Sequence, residues 1–261
     1  MNRADRLTAL LDMLGTHGSV DVGQVMAELH VSAATARRDL DTLAEQQLLT
    51  RTRGGAVGAD TVAYDLPLRY AASGRIGAKR TIAARASAMV PVNSSVGLCG
   101  GTTSTEVARA LAARADIAAP SPTPNLTVVT NAINIAAQLA VRPQIKVVVT
   151  GGVVQPRSYE LVGPYSDLVL GRLTIDYAFV GVDGIDPHLG ASVHNEEEAA
   201  VNSLMASRAR HAVAIADSSK IGVRAFAAVD AAFGTVITDS SISPSAREEF
   251  ESVGIGVVVA D

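Results

Sequence analysis

One cysteine and no tryptophan occur among the 261 residues, and Phe and Tyr bring the aromatics to only 3 %. A lone thiol cannot close an internal disulfide, so the fold must stand on burial and hydrogen bonding, and it suits a reducing compartment. With aromatics scarce, Ala, Val, Ile and Leu must build the core, a mixture that suits helices packed on a Val/Ile-rich sheet. Excess positive charge is missing as well. Lys and Arg number 22 against 26 Asp and Glu, a formal net charge of −4 with a pI near 5.7. No global basic field therefore announces a nucleic-acid partner. No apolar run reaches the roughly 18 residues of a membrane span. The N-terminal MNRADRLTALLDML lacks the apolar core and small-residue cleavage site of a secretory signal. These absences predict a soluble cytoplasmic protein, and the length accommodates two domains.

What is present falls into two patterns. Over residues 3–15, Leu7, Leu10, Leu11 and Leu14 recur at helical spacing, with Gly15 and Gly18 expected to stop the helix. Asp21 and Gln24 form a capping-box pair for a second helix with the apolar stripe Val22, Val25, Met26 and Leu29. Ser32 is placed to cap a third helix that runs to about Gln46 with Leu40 and Leu43 inward. LLTRTRGGAV then alternates apolar and polar residues around a Gly-Gly pair, as a β-wing would. Three short helices and a two-stranded wing make a complete small domain of residues 1–57. A linker punctuated by Gly58, Pro67 and Gly74 is expected over 58–75, leading into a helix near Lys79 to Met89.

The third helix opens VSAATARRDL. A helix of this length fits the major groove of DNA with its N-terminal residues nearest the base edges. Ser32 stands at that N-terminus, and Ala33, Ala34 and Ala36 are small enough to let the backbone approach. Thr35 can touch a base or a phosphate. Arg37 or Arg38 can fork onto a guanine or a phosphate. Arg51 and Arg53 on the wing are placed to hold the flanking backbone, where contacts fix register and leave sequence choice to the base edges. The same residues also permit a solvated, salt-bridged face, because Arg37 and Asp41 stand at i, i+4 and Arg38 can meet Asp39 or Asp41. Residues 1–57 hold six basic and seven acidic side chains, a formal −1, so charge alone does not choose.

From about residue 95 a different pattern repeats. SVGLC, LTVVT, IKVVVT, YAFVG, AVAIA, GTVIT and GVVVA are short, nearly continuous apolar runs of the kind buried on both faces of a sheet. The helical stretches TEVARALAARA, NAINIAAQLA, NEEEAAVNSLMASRAR and SPSAREEFESV lie between several of them. Strand alternating with helix predicts an open, mostly parallel α/β sheet over residues 76–261, and with the first domain a two-domain α+β chain. The Pro-rich AAPSPTPN of 118–125 is expected to be an exposed loop.

Ligands of open parallel sheets bind at the carboxyl ends of the strands, where small and polar residues recur here. They are GGTTST after the first run, Thr130 and Asn131 after the second, Gly151 and Gly152 after the third, GVDGID with Asp183 and Gly184 after the fourth, and DSSK ending at Lys220 after the fifth. Gly101, Thr102, Thr103 and Ser104 enter a helix N-terminus, where free amides, hydroxyls and the helix dipole favour an anion such as a phosphate. No lysine follows in Walker spacing. Lys220 can supply a cation, or be a plain surface lysine. Asp183 and Asp186 can accept sugar hydroxyls, or simply form the turn around Gly184 and Pro187. His188, His194 and Glu196 to Glu198 match no standard metal spacing, and the three glutamates suit the first turn of a helix. Glu198 is counted with the effector contacts. Cys99 reads as a small core residue. No catalytic set, metal site or cofactor is expected.

The run VSAATARRDLDTLAEQQLLTRTRGGA resembles the signature of the DeoR family of bacterial transcriptional regulators. It departs at Ala36, where Ile or Val is usual, at Gln47, where a Gly usually opens the wing, and at Arg53, which replaces a His. GGTTST, VVTN, GG, GVDGI and DSSK occur in the order of the DeoR-type sensor domain, so the resemblance spans nearly the whole chain. That sensor domain is similar in fold to ribose-5-phosphate isomerase and glucosamine-6-phosphate deaminase. The resemblance implies a regulator, in the first instance a repressor of a carbohydrate operon. It would bind double-stranded operator DNA as a homodimer or homotetramer and be released by a phosphorylated sugar or a related intermediate. By the same resemblance Gly101 to Ser104 match a phosphate loop, and Asn131, Gly152, Asp183 and Lys220 match other pocket positions. Cys99 stands at a commonly acidic position and Asn202 at a commonly basic one. An alternative is a sugar-phosphate isomerase or deaminase with an accessory domain, because VDGID resembles the DGxD acid–base pair of phosphopentose isomerases. The following PHLGASVHNEEE lacks their lysine-glycine loop.

Overall fold

The computed structural model describes residues 3–17, 19–45, 48–58 and 75–261. Gly18, Gln47 and nearly all of the expected linker lie outside them. The chain divides into two compact units, Met1–Gly74 and Arg75–Asp261.

The first unit contains α1 (Arg3–His17), β1 (Ser19–Asp21), α2 (Val22–Leu29), α3 (Ala33–Glu45), β2 (Leu49–Thr52) and β3 (Gly55–Gly58). Helix α1 continues through Gly15 rather than stopping there. Burial of Leu7, Leu10, Leu11 and Leu14 outweighs the roughly 1 kcal/mol that a helical glycine costs. Asp21 caps α2 with the full box: its carboxylate accepts the Gln24 amide at 2.8 Å, and the Gln24 side chain accepts the Asp21 amide at 2.9 Å. The stripe of α2 is narrower than its sequence suggests, since Val25 is buried but Met26 is exposed. The Ser32 hydroxyl accepts the Thr35 amide at 3.3 Å and so starts α3, which buries Ala36, Leu40 and Leu43 in the common core. Strands β2 and β3 form the antiparallel wing around Arg53 and Gly54, whose φ of 129° only glycine adopts freely. The three-residue β1 adds a third strand in the order β1-β3-β2. It can pair because Gly55 has no Cβ to strike the Val20 carbonyl.

The second unit runs α4 (Ile76–Ala88), β4 (Ser95–Leu98), α5 (Thr102–Ala113), α6 (Ala115–Ala118), β5 (Leu126–Thr130), α7 (Ile133–Leu139), β6 (Ile145–Val149), β7 (Val153–Gln155), β8 (Glu160–Val162), α8 (Pro164–Leu170), β9 (Ile175–Gly181), β10 (Gly184–Asp186), β11 (Gly190–Val193), α9 (Glu196–Ser207), β12 (Ala209–Ile215), a 3-10 turn (Ser218–Lys220), β13 (Ala227–Val229), β14 (Thr235–Asp239), α10 (Pro244–Ser252) and β15 (Gly256–Ala260). Seven strands in the order β15-β14-β12-β9-β4-β5-β6 form a sheet in which every pairing is parallel. They are the seven apolar runs of the sequence. One apolar layer carries Ile82, Val107, Leu111 and Ile135 against Val96, Leu98, Val128 and Phe179. The other carries Leu170, Val201, Met205 and Phe250 against Val129, Ala178, Val180 and Ala214. Two small antiparallel additions, β7-β8 and β10-β11-β13, decorate this sheet. The 119–124 stretch is exposed, and Asn125 anchors its end by donating to the carbonyls of Ile117 and Ala119 at 3.1 and 2.8 Å. Strand succession runs outward from β4 to β6 on one side and from β9 to β15 on the other. The reversal therefore falls between β4 and β9, which makes their carboxyl ends the topological switch point.

Candidate nucleic-acid interface and effector site

On α3 the deciding question is where the neighbouring carboxylates go. Asp39 is buried and takes the Arg6 guanidinium at 2.8 and 3.3 Å, and the hydrogen bond from Arg6 holds that arginine's pKa above its ordinary value. Asp41 pairs with Arg51 at 2.8 Å. The two acids that could neutralise Arg37 and Arg38 are thus engaged elsewhere. Both arginines are exposed, and among the described residues neither has an ion-pair partner. Ser32, Ala33 and Thr35 lie one turn before them at the start of the same helix, with the Ser32 and Thr35 hydroxyls 3.0 Å apart. On the wing, Arg53 is exposed in the turn, while Arg51 is half-buried and also donates to the Gly55 carbonyl.

At the switch point, Gly101 has φ 100° and opens α5, and Thr102, Thr103 and Ser104 occupy its first turn. The Ser104 hydroxyl is fully buried and has no partner among the described residues. Asn131 is also fully buried. Its amide NH₂ donates to Glu160 at 2.9 Å and to the Leu161 carbonyl at 3.3 Å, while its Oδ1 is unpartnered. Nearby, Asn134 donates to the Thr105 hydroxyl at 2.9 Å and leaves its own Oδ1 buried and unpartnered. Three of the five orphaned buried side-chain atoms therefore gather around the start of α5 and the end of β5. Such atoms normally find partners.

Glu160, on the β7-β8 hairpin, joins this group through Asn131. It lies against Gly100, where a Cβ would collide with it, and the Gly100 amide donates to it. Burial and the neighbouring Glu198 charge push its pKa from 4.5 up to about 8. Glu198 accepts the Ser158 hydroxyl at 2.7 Å. Burial, followed by the charges of Glu160 and Glu198, also drives the Cys99 thiol well above its usual value, so Cys99 is an inert, fully enclosed neighbour.

Further along the edge, Asp183 accepts the His194 amide at 3.2 Å and pairs with Lys220 at 3.6 Å, both charged side chains about one-third exposed. Beyond them, Arg75 reaches Asp217 at 3.3 Å and Asp239 at 3.4 Å, and donates to Ser218 at 2.7 Å. Lys79 is buried nearby, and burial lowers its pKa against the opposing pull of Asp217. Other residues expected at the edge have structural duties. The Thr130 hydroxyl donates to the Leu98 carbonyl at 2.7 Å and accepts the Ala132 amide at 3.0 Å. Gly151 accepts the Ser166 hydroxyl through its carbonyl at 2.7 Å. Gly152 lets the Val162 backbone pass close by, and Gly184 does the same for Val223. Asp186 accepts the amides of His188 and Leu189 within its own turn, at 2.8 and 3.0 Å. Asn202 is buried with its Oδ1 unpartnered. Among the described residues no group of three or more His, Cys, Asp or Glu side chains is disposed to hold a metal ion, and no helix is long and apolar enough to cross a membrane.

Sequence reasoning missed Glu160, Arg75 and Lys79. Glu160 opens a three-residue strand, and its side chain meets residues distant in the chain, Asn131, Gly100 and Glu198. Arg75 caps α4 and Lys79 lies in its first turns, where the sequence suggests only the end of a linker and the start of a helix.

Known proteins resemble this chain in both units. Residues 6–62 match the DeoR-like helix-turn-helix domain, and residues 75–240 match the DeoR C terminal sensor domain. The HTH-type transcriptional regulator GlpR of Haloferax volcanii is 30 % identical over 98 % of this chain and 97 % of its own length. The glycerol-3-phosphate regulon repressor of Escherichia coli K12 is 26 % identical over 85 % of this chain and 84 % of its own. Among solved structures, ribose 5-phosphate isomerase A of Neisseria gonorrhoeae aligns with 56 % of this chain and 53 % of its own at a TM-score of 0.40 and 21 % identity. With both of its units matched in order, and relatives aligned along nearly its whole length, the chain belongs to the DeoR family of transcriptional regulators.

Proposed function

We propose that this protein represses an operon of carbohydrate catabolism and is released from its operator by a phosphorylated sugar or a related intermediate. The observation that carries the DNA half is the pair Arg37 and Arg38, exposed on a Ser-capped helix whose nearby carboxylates, Asp39 and Asp41, are bound to other arginines. Ser32, Ala33 and Thr35 would face the base edges with them, and Arg51 and Arg53 would hold the phosphates beside the wing. A homodimer or homotetramer would read half-sites spaced by whole helical turns.

The effector half rests on the orphaned polar atoms beside the glycine loop and on Lys220 at the same sheet edge. Gly101, Thr102, Thr103, Ser104, Asn131, Gly151, Asp183, Glu198 and Lys220 are its contacts in this reading. Thr130, Gly152 and Gly184 complete the same edge, Thr130 through its hydrogen bonds to Leu98 and Ala132 and the two glycines through close backbone approaches. The name of the glycerol-3-phosphate regulon repressor supports a phosphorylated effector. Release requires the effector to bind the DNA-competent state less well than the free state. We read the sensor unit as a binding domain rather than an enzyme. Asp183 and Asp186 do not converge as an acid–base pair, because Asp186 caps its own turn while Asp183 faces Lys220.

Fluorescence anisotropy with DNA from the region upstream of its own gene tests both halves. Tight binding relieved by one member of a sugar-phosphate panel is expected. Affinity no greater than for random DNA would overturn the reading of this operator, and operator binding indifferent to every sugar phosphate would overturn the effector.

A further inference from the structure

Glu160 has a contradictory address. From the β7-β8 hairpin its side chain lies against the sensor unit's anion-favouring loop, pressed on the amide of Gly100, the residue before the Gly101 cap of α5. A carboxylate in that place is an internal anion seated where an effector phosphate would be welcomed. It is 4 % exposed, held by Asn131 at 2.9 Å, and set against Glu198. Two ionised carboxylates beside a phosphate dianion in a dry site would repel it strongly. A neutral Glu160 would not. A protonated carboxyl needs an acceptor for its O–H, and Asn131 Oδ1 is buried, unpartnered and part of the amide already touching Glu160.

We propose that Glu160 is a proton-carrying gate on the effector site, a specificity-determining residue that admits a phosphorylated ligand to the glycine loop only while it is neutral. The inference rests on the effector reading above. The groups facing Glu160 are consistent with it: Glu198 from α9, Cys99 and Gly100 from the end of β4, Asn131 from the end of β5, and the Asp183 charge from the end of β9. Glu198 and Asp183 favour the protonated form, while the Asn131 and Gly100 hydrogen bonds oppose it. Burial adds the largest push, leaving the carboxyl to ionise near pH 8.

The test uses the full chain, wild type and Glu160→Gln, titrated calorimetrically with glycerol 3-phosphate and with inorganic sulfate between about pH 7 and pH 9. The second phosphate ionisation lies near pH 6 and sulfate stays dianionic, so neither probe changes charge in this window. Wild-type affinity is expected to fall roughly tenfold, the penalty of one pH unit above the gate's midpoint, while Glu160→Gln stays flat. Parallel decline in both proteins would assign the effect to another group, such as Lys79, whose pKa burial lowers, and overturn the gate. So would the absence, in the wild type at neutral pH, of an infrared carbonyl band of protonated carboxylic acid that Glu160→Gln removes. No binding of either probe by either protein at any pH would overturn the effector reading and the gate with it, a result separable from binding that merely lacks the pH dependence. Should Glu160→Gln fail to fold, Glu198→Gln serves instead. Removing that charge must move the fall in affinity to lower pH, and an unmoved midpoint would sink the proposal.

Discussion

In the first unit, Arg6 and Arg51 claim the carboxylates of Asp39 and Asp41 and leave Arg37 and Arg38 without partners on α3. In the second, Lys220 is set against Asp183, and Arg75 against Asp217 and Asp239, while the buried acid Glu160 faces another acid. The difference suits two kinds of partner. DNA is a large polyanion that replaces water around an open cationic face, and no protein carboxylate need be displaced to admit it. A small ligand needs a site whose charges hold still before it arrives, and paired charges do that at the cost of competing with the ligand.

Removing the open charges should have the largest effect. Arg37→Ala with Arg38→Ala is expected to weaken operator binding by about 3 kcal/mol or more, over a hundredfold, because each forked contact is worth roughly 1–3 kcal/mol. Thermal stability of both units should be unchanged, since neither side chain carries an ion pair among the described residues. Anisotropy and calorimetry on the same preparation separate the two effects. Unaltered operator affinity would mean that α3 does not enter the groove.

Removing a closed charge should do the reverse. Asp39→Ala strands Arg6 within the first unit, where the pair is nearly buried. Loss of one partner from such a pair costs about 3 kcal/mol. The melting transition of the first unit should fall while that of the second stays in place, and a single shared shift would show that the units do not melt independently.

The same contrast explains what could be read from sequence. The seven central strands were legible because burial on both faces imposes continuous apolar runs, and Phe179, Val128 and Ile237 leave no room for polar residues. Asp21 with Gln24, and Ser32, announced helix starts because capping is a local contract over three residues. The hairpin β7-β8 was not legible, as its strands are three residues long and Glu160 interrupts their apolar pattern. Nor does anything near Glu160 reveal Asn131, 29 residues away, or the missing Cβ of Gly100 that makes room for it. Strand β1 was hidden for a similar reason, since its pairing depends on Gly55 across the wing. Met26 shows the converse error, a residue at correct helical spacing that stays 37 % exposed.

The smallest effect falls on Arg51, where the two habits meet. It is paired with Asp41 like a structural arginine, yet the pair stands in the open, with side-chain exposures of 30 % and 58 %. An exposed pair contributes at most about 1 kcal/mol to folding, so Arg51→Ala should scarcely move the melting transition. If Arg51 also reaches a phosphate, the substitution should weaken binding to all DNA sequences alike and lower the slope of log affinity against log salt by about one. Asp41→Ala then gives the opposite sign. Freed from its carboxylate, Arg51 should bind DNA slightly more tightly with no change in sequence preference. Were both substitutions to leave the salt slope untouched, Arg51 would belong with Arg6 as a strut of the fold, and the wing's contact with DNA would rest on Arg53 alone.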